Sequence, residues 1–216
     1  MKRSMTLLVL FGLLTILGVA CQNTTTAQAS VTPEIPPNWW TTWLAQPVCK
    51  PPCWQNITPG LTTMDKAVSI LENSPETKIT FKSEDGVDWE FTKDEGGTLS
   101  VSQDRIVRMI WIGSVSDRKL FVKTIVASYN YPEYVKPYDC REGMCITALV
   151  YPDLGMLLSV FIENRGEINS PQIEILPETV VNRVYFIEQG IENFLDLFLI
   201  QENDLLIEWM GYGEYP

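Results

Sequence analysis

Histidine is absent from the 216 residues of this chain. Its absence removes the commonest general base of enzymes and the commonest zinc ligand together. The sequence also contains no Gly-x-Ser-x-Gly turn of the kind that exposes a nucleophilic serine, and no phosphate-binding loop. We therefore expect a protein that is not an enzyme and that holds no metal and no cofactor. A hydrolase built on two carboxylates is the distant alternative.

Basic residues are scarce, with 16 Lys and Arg against 27 Asp and Glu and a net charge of -11. Nucleic acid needs clustered Lys and Arg to neutralise its phosphates, so this balance excludes it as a partner. Electrostatic docking onto anionic lipid is disfavoured for the same reason.

Long apolar runs are also scarce, because the only one extends from Leu7 to Ala20. Its 14 residues are fewer than the roughly 20 that a membrane-spanning helix needs. Lys2 and Arg3 supply a positive head in front of it, which is typical of a secretory signal. Residues 1–20 are therefore predicted to be a signal peptide.

The leader ends in Leu-Gly-Val-Ala followed by Cys21. This segment resembles the lipobox of bacterial lipoproteins, with Leu17 one position further from the cysteine than in the usual pattern. The resemblance implies cleavage before Cys21 and acylation of its thiol; an ordinary secreted protein and a retained membrane anchor are the alternatives. The leader carries two basic and no acidic residues, so the mature chain has 14 basic and 27 acidic residues and a charge of -13.

Residues 21–38 comprise the lipidated cysteine and a stretch rich in Thr, Gln, Ala, Ser and Pro. This composition predicts a flexible tether between the lipid and the folded part.

The remaining cysteines form two close pairs, Cys49 with Cys53 and Cys140 with Cys145. Disulfides are the default in an exported protein, but four thiols allow three connectivities. We expect local pairing, with the Cα atoms of each pair roughly 4.4–6.8 Å apart. A long-range bridge and a zinc site of four thiolates are the alternatives.

Helical and strand patterns follow each other twice along the chain. Helices are predicted over 62–73, 117–129 and 191–200 from apolar spacing and stop signals. Strand patterns fall within 78–112 and again within 145–187. We therefore expect an α+β fold in which short helices pack on antiparallel sheet, with residues 39–115 and 116–216 as two candidate tandem helix-then-strands modules.

Two aromatic groups are candidates for ligand binding: Trp39, Trp40 and Trp43 at the start of the folded part, and Trp209 and Tyr212 near its end. Such rings could stack on a sugar or another flat ligand, or they could belong to the core. The segment Trp209–Tyr215 is expected to be either a binding edge or an edge strand packed on the body.

Three motifs give this chain a family resemblance. They are C-W-x-x-I-T-P-G-x-T at 53–62, Y-P-x-x-G at 151–155 and W-x-G-Y-G-x-Y at 209–215. The chain resembles uncharacterised bacterial lipoproteins with these motifs. More remotely, Ile57–Leu71 is similar to the opening of the small outer-membrane assembly lipoproteins of the SmpA/OmlA (BamE) type. That resemblance implies a helical pair packed on a small antiparallel sheet.

These observations predict a protein anchored through N-terminal acyl chains on the extracytoplasmic face of a bacterial membrane. Its expected role is non-catalytic, namely binding an envelope protein or organising the envelope. The alternative is an aromatic-lined module that binds a carbohydrate-like ligand.

Overall fold

The computed structural model describes residues 39–45, 47–91, 96–113, 119–168, 170–197 and 206–216. The predicted signal peptide (1–20), the lipidated Cys21 and the tether (21–38) lie outside the described residues. Residues 37–216 belong to one compact unit.

Four short helices are present among the described residues: α1 (Trp39–Ala45), α2 (Met64–Asn73), α3 (Val122–Tyr129) and α4 (Ile191–Leu197). The α2 helix has the predicted amphipathic pattern, because Met64, Ala67, Val68 and Leu71 are its buried residues. Its start is also as expected, since the Thr63 hydroxyl caps it by accepting the Lys66 N–H.

Most of the described chain is strand. The strands are β1 (Thr77–Lys82), β2 (Gly86–Phe91), β3 (Gly96–Val101), β4 (Val107–Gly113), β5 (Leu120–Phe121), β6 (Tyr134–Arg141), β7 (Met144–Tyr151), β8 (Met156–Glu163), β9 (Ile173–Ile175), β10 (Val180–Ile187), β11 (Ile207–Glu208) and β12 (Gly213–Tyr215). A short 3₁₀ turn, Pro152–Leu154, joins β7 to β8.

Ten of these strands form one antiparallel sheet in the order β1-β2-β3-β4-β10-β8-β7-β6-β11, with β5 also paired to β10. The join between β4 and β10 is long-range, because Ile112 lies opposite Val184. The two remaining strands, β9 and β12, form a small separate sheet.

The expected α+β fold is therefore wrong: one large antiparallel sheet dominates, with only short helices, in place of helices packed on small sheets. The physical reason lies in β4, whose buried Ile110 and Ile112 need a neighbouring strand. That neighbour is β10, far along the chain, so one continuous sheet contains strands from both expected modules.

The sheet is covered on both faces at its centre. The main core lies on one face and includes Trp43 of α1, the buried side of α2, and Val122 and Ile125 of α3. A second, smaller core lies on the other face, where Phe194 of α4 packs with Val150, Leu157, Tyr185 and Ile187. Strands buried on both faces read as continuous apolar runs, as β7 and β8 do.

The predicted helix at 117–129 is partly wrong. Leu120 and Phe121 form β5, which pairs with β10, and the helix begins only at Val122. Residues 117 and 118 lie outside the described part. The strand β6 was not predicted, because Pro137 and the polar residues around it obscure the alternation.

Candidate functional site

The first aromatic group belongs to the core. Trp43 is only 5% exposed, and its ring lies 5.5 Å from the ring centroids of both Tyr129 and Phe186. Trp40 is half-buried against the main core. Trp39 begins α1, and its side chain lies outside the described part of the chain.

The second aromatic group packs against the main core, with Trp209 and Tyr212 half-buried, and it is larger than the sequence indicates. Trp209 lies 5.6 Å from Tyr212 and 6.0 Å from Tyr131, measured between ring centroids. Tyr131 and Tyr212 are 6.4 Å apart, and Trp209 is 5.9 Å from Tyr215. We call Tyr131, Trp209, Tyr212 and Tyr215 the aromatic cluster. Sequence reasoning missed Tyr131, which is 57% exposed. The Tyr-Pro pair after α3 predicted only the end of the helix, and nothing in the local sequence indicated a functional site.

Strand pairing sets the direction of Trp209. Its N–H donates to the Glu133 carbonyl at 2.9 Å, and the Glu133 N–H donates to the Val150 carbonyl at 2.8 Å. These bonds continue the β11–β6–β7 ladder, so Trp209, Glu133 and Tyr151 occupy one row across three chain segments. The row two residues away faces the main core and consists of Ile207, Val135 and Leu149. Because side chains alternate along strands, Trp209 and Tyr151 share that face.

The C-terminal segment is held firmly on the body. The Tyr215 ring is buried, and its hydroxyl donates to the Gly211 carbonyl and accepts the Met210 N–H at 3.0 Å. Its backbone belongs to β12, which pairs with β9. Of the two expectations for 209–215, an edge strand packed on the body describes its end, β12, while Trp209 and Tyr212 are half-buried against the main core.

A buried phenol lies beneath this surface. Tyr151 is 3% exposed, and its hydroxyl has no hydrogen-bond partner among the described residues. Burial raises the pKa of Tyr151 far above its ordinary value, and the nearby Tyr212 phenol raises it further. Burial also raises the pKa of Tyr212, with smaller contributions from Tyr131 and Glu178. These phenols therefore stay protonated at neutral pH and can donate hydrogen bonds.

One ion pair involves a carboxylate that acts on Tyr212. The Lys123 ammonium and the Glu178 carboxylate are 3.1 Å apart, and both side chains are more than half exposed. Glu178 makes a small contribution to the raised pKa of Tyr212, and the Lys123 ammonium lies over the ring of Phe121, 5.6 Å from its centroid.

Both cysteine pairs form local disulfides, so the expected pairing is confirmed and the thiols are not zinc ligands. The Cα atoms of Cys49 and Cys53 are 5.6 Å apart, within the expected range. Those of Cys140 and Cys145 are 4.0 Å apart, closer than expected. These two residues lie directly opposite each other on the β6–β7 hairpin, whose backbone already holds them together.

Cavities of about 240, 300 and 390 Å³ are lined by described residues, and none of these three is lined by Trp40, Trp43, Trp209 or Tyr212. The largest of the three lies beside α2, where Gln55 and Asn56 both have left-handed φ angles. No group of three or more metal-ligating side chains occurs in the described ranges.

None of the helices in the described part is both long and apolar enough to span a bilayer. No family model matches the chain, and no curated protein and no solved structure matches it either.

Proposed function

We propose that this protein is a lipid-anchored protein on the extracytoplasmic face of a bacterial membrane, with a non-catalytic role in binding an envelope protein or organising the envelope. The observation that carries the proposal is the presence of two disulfides, which form and persist in oxidising compartments. The leader that ends at Cys21 supplies the route to such a compartment and the acylation site.

The non-catalytic part of the proposal rests on the sequence. A chain without histidine has lost its most versatile acid–base group. Exposed tyrosine and tryptophan, in contrast, are residues enriched at binding surfaces. The aromatic cluster, with its exposed neighbour Met210, is therefore the candidate contact surface.

Metabolic labelling with palmitate tests the anchor. The Cys21→Ser variant should lose the label that the wild-type chain carries, whereas Cys49→Ser should keep it. Equal labelling of wild type and Cys21→Ser would contradict the lipid anchor.

Capture from detergent-solubilised envelopes tests the binding role. A specific partner should be recovered by wild type, lost with Trp209→Ala, and kept with Phe81→Ala, which changes an exposed aromatic residue on β1. Failure to recover any specific partner would contradict this role.

A module that binds a carbohydrate-like ligand is the second candidate. It is favoured by the close grouping of Trp209, Tyr212 and Tyr131 at the surface. The burial of Trp43 removes that ring from the surface on which a ligand would stack.

A further inference from the structure

The cavity of about 390 Å³ beside α2 has the size of a small ligand site, since such sites usually occupy about 300–1,000 Å³. It is lined by α2, by the turn at Gln55 and Asn56, and by the paired ends of β1 and β2. Its base is apolar, because Trp54 and Leu71 are buried and Ile70 is half-buried against the main core. The rest of its lining is mostly polar, so the cavity combines an apolar base with a polar rim.

The rim carries a strained turn. Gln55 and Asn56 form the two-residue turn of a hairpin, in which Trp54 and Ile57 exchange backbone hydrogen bonds of 2.9 and 2.8 Å. Both turn residues have left-handed φ angles, 51° and 63°, which glycine adopts without strain and glutamine rarely adopts. The Asn56 N–H also donates to the Sγ of the disulfide-bonded Cys49 at 3.4 Å. The fold thus holds a glutamine side chain beside the cavity at a position that favours glycine.

Four polar side chains in the lining are available to a ligand. Within the described residues, the side chains of Gln55, Asn56, Lys66 and Glu76 have no hydrogen bond or ion pair. Each of the two amides offers both donors and an acceptor. Lys66 and Glu76 are the only charged residues among those that line the cavity, and their charges are opposite. The cavity therefore offers one positive group, one negative group and two amides.

The two charged residues lie towards opposite ends of α2. Lys66 is in its first turn, and Glu76 follows its last residue, Asn73. The helix dipole has the same sense, because an N-terminal end favours an anion and a C-terminal end favours a cation. Lys66 and Asn73 are separated by about 10 Å along the helix axis. An extended peptide advances about 3.4 Å per residue, so about three residues cover this distance.

We infer that this cavity binds a short peptide of about three residues with free termini, with its carboxylate towards Lys66 and its ammonium towards Glu76. The amides of Gln55 and Asn56 hydrogen-bond to the peptide groups between the two ends, which also have one donor and one acceptor each. Ile70 contacts an apolar side chain of the peptide. The inference concerns a different part of the molecule from the aromatic cluster and does not depend on the function proposed above.

Other small ligands match this lining less well. A single amino acid is too short to reach both Lys66 and Glu76. A simple anion or cation would contact only one of these two charges. A sugar needs an exposed aromatic ring on which to stack, and Trp54 does not provide one because it is only 2% exposed.

The test is isothermal titration calorimetry of the full-length protein, in a nonionic detergent, with the tripeptide Ala-Leu-Ala. The peptide with free termini should bind. The N-acetylated and the C-amidated forms of the same peptide should each bind at least about threefold more weakly, because each lacks one charged group that the cavity contacts.

Variants of the two charged residues should match the two blocked peptides. Lys66→Ala should weaken binding of the free peptide but not of the C-amidated one, and Glu76→Gln should weaken binding of the free peptide but not of the N-acetylated one. This pattern is expected if each residue contacts its own end of the peptide. Lys82→Ala on β1 and Glu72→Gln on α2 are matched controls, because both residues are exposed and neither lines the cavity. Both control variants should bind like wild type.

Gln55→Gly separates a binding role from a structural one. Glycine adopts the left-handed φ of this position without strain, so the variant should melt at the same or a higher temperature than wild type. It should nevertheless bind Ala-Leu-Ala at least about threefold more weakly, as expected for one lost hydrogen bond.

The inference is overturned if Ala-Leu-Ala does not bind at about 10 mM, a concentration that would reveal even weak binding. It is also overturned if the blocked peptides bind as tightly as the free one, or if Gln55→Gly binds as well as wild type. These results would leave the lipid anchor and an envelope-protein partner untouched, because palmitate labelling and partner capture measure those separately.

Discussion

Strands β1–β3 and strands β7, β8 and β10 belong to the same sheet, but they differ in how many of their faces are covered. In the first group, β2 and β3 alternate between buried and more exposed residues, as one covered face requires, and the edge strand β1 alternates between half-buried and exposed residues over its first four positions. In the second group nearly every residue near the centre is buried, because α1–α3 cover one face and α4 covers the other. The comparison shows that the helices, although short, decide which strands can be apolar on both faces.

The two regions also differ in their tyrosines. All eight lie between residues 129 and 215, so β1–β3 contain none. Both the contribution of tyrosine to the alkaline pH response and the aromatic cluster therefore belong to the later part of the chain.

The largest effect is expected from Phe186→Ala in β10. Its fully buried ring contacts Trp43, and deleting it leaves a cavity in the main core. The free energy of unfolding should fall by about 3–5 kcal/mol, measured by urea denaturation. Phe81→Ala on the exposed edge strand β1 should change it by less than about 0.5 kcal/mol. Equal losses in the two variants would contradict the difference between the regions.

Gly97→Ala tests whether β3, with one covered face, is nevertheless tightly packed. A Cβ there would lie 2.3 Å from Cζ2 of Trp89 and 2.7 Å from the carbonyl oxygen of Trp111. We expect a loss of about 3 kcal/mol from this overpacking. In Gly143→Ala a Cβ meets no atom within 4 Å, so only the left-handed φ of 80° opposes the change and the loss should be about 1–2 kcal/mol. If Gly143→Ala is the more harmful variant in chemical denaturation, steric crowding at Gly97 is not the controlling factor.

The two disulfides should differ in how much each contributes to the free energy of unfolding, with the more deeply buried one contributing more. Replacing Cys140 and Cys145 together by alanine opens a six-residue loop, which costs about 2 kcal/mol by loop entropy. It also removes the fully buried sulfur of Cys145 from the core. Replacing Cys49 and Cys53 opens a similar loop at half-buried positions, so its cost should be smaller. Thermal unfolding of both double variants compares them, and a more damaging loss of Cys49–Cys53 would show that the early bridge matters more.

The smallest effect is a loss of stability at high pH. Burial raises the pKa of Tyr129, Tyr138, Tyr151, Tyr212 and Tyr215 above their ordinary value of 10.0. Above about pH 10 the unfolded phenols release protons that the folded ones keep. The contribution of these phenols to the free energy of unfolding is therefore constant below about pH 10. The free energy of unfolding falls as the pH rises further.

Tyr151→Phe should flatten this decline, since burial raises the pKa of Tyr151, at the end of β7, far above its ordinary value. Urea denaturation at several values between pH 8 and 11 measures the slope. A slope equal to that of wild type would mean that Tyr151 does not contribute.

The sequence indicated the candidate site only in part. Trp209 and Tyr212 are close together in the chain, so their grouping could be anticipated. Tyr131 and Tyr151 join them only because β6 lies between β7 and β11, and β6 was hidden by its proline and polar residues. The deep position of Trp43 was equally hidden, since an apolar ring in a short N-terminal helix fits a surface or a core.

By itself the sequence determined the features that depend on neighbours a few residues apart. The α2 helix follows from its capping threonine and its apolar spacing, and the β7–β8 pair follows from two apolar runs joined by a tight turn. The hairpin disulfide at Cys140 and Cys145 is local in the same way. Only the tertiary structure decided that β10 lies between β4 and β8, because pairing such as that of Ile112 with Val184 depends on which distant strand best buries an apolar face. This pairing places strands of the two expected modules in a single sheet. The sequence could not predict it, since the pairing of two distant strands leaves no signal in the local pattern of either strand.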